Sequence, residues 1–99
     1  MDIHLEINGM AFVWNDKKAV ANPAKHGGVT FEQAVTVFFD PFFRLVDASR
    51  KDQARDAVMG FDAQGRLLFV VHIEIEGASI RIISARKASN EERHHYEYS

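Results

Sequence analysis

Arg66-Leu67-Leu68-Phe69-Val70-Val71-His72-Ile73-Glu74-Ile75-Glu76 reads as one long β-strand. Leu67, Phe69, Val71, Ile73 and Ile75 fall on one face, and Leu68, Val70, His72, Glu74 and Glu76 on the other. That period of two belongs to a strand, not to a helix. Turn signals bracket it, Asp62-Ala63-Gln64-Gly65 before and Gly77-Ala78 after. Beyond them, residues 55–61 and 80–85 read as the neighbouring strands. Strands joined by such short turns form an antiparallel meander. Residues 42–47 add a further strand, set off by a polar loop at 48–53.

The N-terminal half brings the helices. Ile3, Leu5 and Ile7 alternate with His4 and Glu6, and Asn8-Gly9 turns the chain into a returning strand at 10–14. Asn-Gly is the strongest short hairpin signal because both positions of the turn need positive φ. Asn15 or Asp16 can cap a helix over 16–22, with a kinked turn from Pro23 to His26 and an end at Gly27-Gly28. Thr30-Phe31-Glu32-Gln33 has the form of a capping box, followed by Phe31, Ala34, Val35 and Phe38 on one helical face. Asp40-Pro41 stops that helix. Ser89-Asn90-Glu91-Glu92 opens a last helix carrying Arg93, His94, His95 and Tyr96. The order predicts an α+β fold, helices packed on an antiparallel sheet that can leave part of one face open to a ligand.

Composition bounds the function. Ninety-nine residues suit one domain, residues 1–99, with residues 1–11 as an N-terminal strand extension. Eight phenylalanines allow a modest core to bury enough apolar area. The absence of cysteine excludes disulfides, thiolate metal sites and cysteine nucleophiles, and fits a reducing cytoplasm. No stretch reads as a signal peptide or membrane span. A net charge of −2 speaks against a non-specific nucleic-acid coat but leaves room for a local cationic site.

No phosphate-binding glycine loop, dinucleotide fingerprint or nucleophile elbow is present. The histidines at 4, 26, 72, 94 and 95 include no i, i+4 helical pair of the kind that binds zinc. Lys25-His26 sets a cation and an imidazole beside glycines at a helix end; on spacing alone, both serve the last carbonyls of the helix. Arg81 and Arg86 differ in strand parity, so they project from opposite faces unless a bulge intervenes. One can line a groove while the other pairs with Glu74, Glu91 or Glu92; surface ion pairs are the simpler account. Glu92 and Tyr96 share a face of the last helix, with Arg93 beside them.

Taken in order, these pieces resemble the BrnT family of bacterial type II toxins. The resemblance is carried by Phe12-x-Trp14, Asp16, Lys18, Asn22, Lys25-His26-Gly27, Phe31-Glu32-x-Ala34, Asp40-Pro41 and Arg55. It continues through Gly60, Gly65-Arg66-Leu67, His72, Arg81-Ile82-Ile83-Ser84-Ala85-Arg86 and Ala88-Ser89-x-x-Glu92-Arg93-x-x-Tyr96. It implies a fold like that of the RelE/ParE toxins and a metal-independent endoribonuclease, needing no cofactor, that inhibits translation and growth. It also implies a BrnA-type antitoxin in a complex with two copies of each chain, touching DNA through the antitoxin. For the site it implies His26 as acid or base, Glu32 as a carboxylate, and Lys25, Arg55, Arg81 and Arg86 as phosphate-holding cations. Tyr96 and Arg93 would contact RNA. Asn15, Pro23, Gly28 and Asp56 depart from the family pattern, and Pro23 and Gly28 flank the Lys25-His26 loop. The competing expectation is therefore a catalytically impaired member that serves as an antitoxin-binding or co-repressor subunit.

Overall fold

A computed structural model describes residues 1–99 apart from Asp52 and Glu76. The expected end of the long strand at Glu76 and one residue of the 48–53 loop therefore lie outside the described residues. Strands β1 (Asp2–Ile7) and β2 (Met10–Asn15) form the N-terminal hairpin. Asn8 and Gly9 carry φ of 51° and 81° at its turn, as the mirror-image turns of hairpins require. Helix α1 (Asp16–Lys25) follows directly, and then α2 (Phe31–Val35) tightens into a 3₁₀ turn over Thr36–Phe39. Strands β3 (Arg44–Asp47), β4 (Asp56–Phe61), β5 (Leu67–Ile75) and β6 (Ser79–Lys87) make the meander, and α3 (Asn90–Tyr98) closes the chain.

The fold is α+β, with six strands among the described residues in the order β1-β2-β6-β5-β4-β3. One pair departs from the expected antiparallel sheet. β2 runs parallel to β6, Ala11–Val13 lying against Ser79–Arg81. The cause is connectivity: the chain passes through the helices and the whole meander before β6 comes alongside β2, and parallel pairing needs such a long connection. Boundaries shift as well: β6 extends to Ser79–Lys87 beyond the expected 80–85, and two other shifts have a clear local cause. The strand expected from residue 42 begins at Arg44, because Phe42 N–H and Phe43 N–H turn back onto Asp40 at 2.9 and 3.1 Å. The first helix runs past Pro23 to Lys25. Pro23 removes one donor near the helix end, and the closure compensates: His26 N–H donates to Asn22 O at 2.9 Å and Gly28 N–H to Pro23 O at 2.8 Å. Gly27 and Gly28 supply the positive φ that this closure needs, 62° and 84°.

Both predicted capping boxes form, Thr30 with Gln33 and Ser89 with Glu92. The core lies between one sheet face and α2 with its 3₁₀ turn. Phe12, Trp14, Val58, Leu68, Val70 and Ile82 meet Phe31, Val35 and Phe38 there, all buried. Edge-to-face pairs order the aromatics, Phe12 on Phe38 at 5.2 Å and Trp14 on Phe31 at 6.0 Å. The 3₁₀ turn packs tightly over Gly60: a Cβ there would stand 2.9 Å from Val37 Cγ1 and 3.1 Å from Asp40 Oδ2. Gly60→Ala is therefore expected to lower stability by about 1–3 kcal/mol through overpacking, measured by urea unfolding.

His72 is buried in this core against the Phe38 ring at 5.0 Å. Burial pushes its pKa below the ordinary 6.5, outweighing the opposite pulls of the Val70 carbonyl, Asp56 and Glu74. The unfolded chain thus takes up a proton near pH 6.5 that the folded chain refuses. Stability present above that pH falls as the pH drops toward the folded value. His72→Leu should flatten the stability profile between pH 6.5 and the carboxylate range, a difference read from denaturation midpoints across pH.

Candidate functional site

A bulge in β6 organises the second face of the sheet. Ala85 stands opposite Val70 and Ser84 opposite Val71, but Ile82 is already opposite His72, so Ile83 has no partner across the ladder. The extra residue resets strand parity. As a result Arg81, Ser84 and Arg86 lie opposite Ile73, Val71 and Phe69, all on the face turned away from α2. The two arginines, which unbroken alternation would separate, share that face.

Asn22 then fixes α1 beside this face. β2 pairs with β6 only as far as Arg81, which leaves the edge of β6 at Ala85 without a neighbouring strand. The buried Asn22 side chain takes that place. Its Nδ2 donates to Ala85 O and to Val29 O, both at 2.8 Å, and its Oδ1 accepts from Ala85 N–H at 3.2 Å. One amide thus ties the middle of α1, the edge of β6 and the chain after Gly27-Gly28 together. Lys25 and His26 follow at the end of α1, beside Ser84 and Arg86.

Between α1 and the loop after β3 runs an open groove of about 810 Å³. Lys25 and His26 line one wall, Asp47, Ser49 and Arg55 the other, and Phe69, Val71, Ser84 and Arg86 the floor. The chain leaving β3 is held to this wall by Ala48 N–H donating to Arg55 O at 3.0 Å. Arg86 is held in a fork: Nη1 and Nη2 donate to the two carboxylate oxygens of Glu92 at 2.7 and 2.8 Å, with the guanidinium 4.4 Å from the Phe69 ring centre. The hydrogen bond to Glu92 raises the pKa of Arg86 and the same bond lowers that of Glu92, so the pair stays charged. Arg55 Nε donates to Gln53 Oε1 at 3.0 Å. Lys25 is exposed and His26 half-buried.

Of the residues singled out in the sequence, the groove gathers Lys25, His26, Arg55 and Arg86. The others stand elsewhere. Arg81 shares the sheet face but pairs with Asp2 at 2.8 Å. Glu32 is exposed in the first turn of α2, and Arg93 is exposed on α3. Tyr96 donates to Asp40 Oδ2 at 2.7 Å and packs edge-on against Phe61 at 5.4 Å. Burial, aided by the Asp40 carboxylate, pushes the Tyr96 hydroxyl up to about 12. Among the described residues the carboxylate that lines the groove is Asp47, kept below the usual carboxylate range by hydrogen bonds from the Ser49 hydroxyl and backbone. Asp47 had no local signal in the sequence, since its place depends on the fold-back of the loop. Lys18, Asn22 and Lys25 did have one, the i, i+4, i+7 spacing of a single helix face.

The departures from the family pattern fit the structure. Asn15 caps α1, its Oδ1 accepting from Lys17 N–H at 2.9 Å and Lys18 N–H at 3.1 Å, which an acidic residue would also do. Pro23 and Gly28 are bonded to each other across the helix end. Among the described residues no helix is long and apolar enough to cross a membrane.

The groove sets cations on both walls, an imidazole at its rim and apolar side chains in its floor, an arrangement whose field attracts anions. A family model described as "Ribonuclease toxin, BrnT, of type II toxin-antitoxin system" matches residues 14–92. The chain belongs to that family of ribonuclease toxins, which work opposite an antitoxin partner. The match begins at Trp14, so β1 and most of β2 precede it. No curated protein matches the chain individually.

Because Asn22 satisfies two carbonyls and an amide at a strand edge, Asn22→Ala should cost about 1–3 kcal/mol. Hydrogen exchange at the Ala85 amide should accelerate more than at Val70 in the same sheet, an outcome readable by NMR.

Proposed function

We propose that the groove between α1 and the bulged sheet face binds single-stranded RNA and cuts it without a metal ion. The observation that carries this reading is the convergence of Lys25, His26, Arg55 and Arg86 on one groove in a chain of a ribonuclease toxin family. Cleavage follows from the chemistry of RNA. The 2′-hydroxyl attacks the adjacent phosphorus, the P–O5′ bond breaks, and a 2′,3′-cyclic phosphate and a 5′-hydroxyl result. His26 carries a proton in this step, either from the attacking 2′-hydroxyl or to the departing 5′-oxygen. Lys25, Arg55 and Arg86 stabilise the charge that builds on the phosphate oxygens. Arg86 is presented for this by the Glu92 fork and its contact with Phe69. Among the described residues the charged groups of the lining are mostly cations, which attract phosphate and repel a divalent cation, and this supports metal-independent chemistry. Asp47 lines the groove, and we assign it the carboxylate role in preference to Glu32. Arg81 extends the cationic face toward β2, and Arg93 offers a further exposed cation.

The same reading makes residues 1–99 one toxin domain with a fold related to the RelE/ParE toxins. It makes the partner a BrnA-type antitoxin in a complex of two copies each, and the setting the cytoplasm, where cutting RNA would slow translation and growth. The ordered hydrogen bonding around Pro23 and Gly28 supports an active site over an impaired one.

Purified protein and a synthetic single-stranded RNA in excess EDTA test the proposal. Cleavage is expected to persist and to leave cyclic-phosphate ends, with His26→Ala and Arg86→Ala each slowing it by about 10²-fold or more while circular dichroism is unchanged. Full activity in both folded variants, or complete loss of wild-type activity in EDTA, would overturn it.

A further inference from the structure

The groove does not end at the cleavage centre. Lys17 and Lys18, in the first turn of α1, line it as well. Both are exposed, and among the described residues neither forms an ion pair. Their position is costly for the helix: the first turn carries the positive end of the helix dipole, where cations destabilise and acids are favoured. Asp16 is the acid that this turn does hold, and it is engaged by the N-terminal ammonium at 3.2 Å. Two adjacent lysines placed against the dipole, facing a groove, have no folding purpose that the structure reveals.

Their spacing from the centre is set by the helix. Lys18 and Lys25 lie seven residues apart, nearly two full turns on the same face. At 1.5 Å per residue that is about 10 Å along the axis, far enough for the two positions to meet different phosphates of one strand. Val71 and Ile83, half-buried in the floor, offer apolar surface on the way. We infer that Lys17 and Lys18 form a phosphate subsite for single-stranded RNA, holding the backbone at a phosphate other than the one cleaved at Lys25-His26. The subsite rests on the ribonuclease reading of the groove and adds a length requirement to it: a long strand engages both positions, and a dinucleoside monophosphate reaches only the cleavage centre.

The test compares wild type with the double variant Lys17→Gln/Lys18→Gln on two substrates, a long single-stranded oligoribonucleotide and a dinucleoside monophosphate. For the oligoribonucleotide, KM should rise about tenfold, equivalent to about 1.4 kcal/mol, with kcat retained. The salt dependence of its binding should become shallower by about 0.7 in log–log slope for each phosphate no longer neutralised. The dinucleoside monophosphate should be cut with similar kcat/KM by both proteins, and the variant should melt no lower than wild type. Equal losses on both substrates, or no loss on the long one, would overturn the subsite while leaving the cleavage centre standing. If wild type cuts neither substrate, the ribonuclease reading fails and the subsite with it.

Discussion

The amide of Asn22 holds helix α1 and the bulged strand β6 in one place. β6 loses its parallel partner after Arg81, and the exposed backbone at Ala85 would otherwise face solvent or attract another strand. By bonding both the N–H and the carbonyl of Ala85, Asn22 makes a helix do the work of an edge strand. Its third bond, to Val29 O, anchors the chain that leaves the glycine turn. The position of Lys25 and His26 relative to the sheet is a consequence of this clamp. A helix packed only by its apolar face would be free to slide or rotate.

The bulge at Ile83 is the matching adjustment in the sheet. It leaves one residue unpaired and so brings Arg86 onto the face that carries Phe69 and Val71, beside the helix end that Asn22 has fixed. Arg86 is then oriented from both sides, by the Glu92 carboxylate and by the aromatic ring beneath it. Glu92 is also the closing residue of the α3 capping box, accepting from Ser89 N–H at 2.8 Å. The start of α3 and the orientation of a groove arginine therefore depend on one side chain.

Features with local causes were readable from the sequence. The Asn8-Gly9 turn, the two capping boxes, the alternation of β5 and the stop at Asp40-Pro41 each rest on a few neighbouring residues, and each appears where that chemistry puts it. Features that depend on register were not. The parallel contact of β2 with β6 follows from where the meander ends, and no residue in either strand announces it. The bulge was visible only as a condition on Arg81 and Arg86 sharing a face. Strand parity alone assigned them to opposite faces, and one inserted residue reversed that. The site follows the same division. Lys25 and His26 stood out beside their glycines, while Asp47 and Ser49 reach the groove only because the following loop folds back on Arg55. Glu32, which the family resemblance offered as a carboxylate, sits on a helix that packs against the sheet rather than beside the groove.

Whether the groove is where a nucleic-acid strand binds can be decided by following backbone amide shifts in NMR as the protein is titrated with a single-stranded deoxyoligonucleotide. The strand lacks the 2′-hydroxyl and cannot be cut by internal attack, so binding is observed without turnover. Shifts concentrated at His26, Arg55, Val71, Ser84 and Arg86 are the predicted result. Shifts confined to the outer edges of β1 or β3, with those groove amides unmoved at saturation, would refute the assignment of the groove.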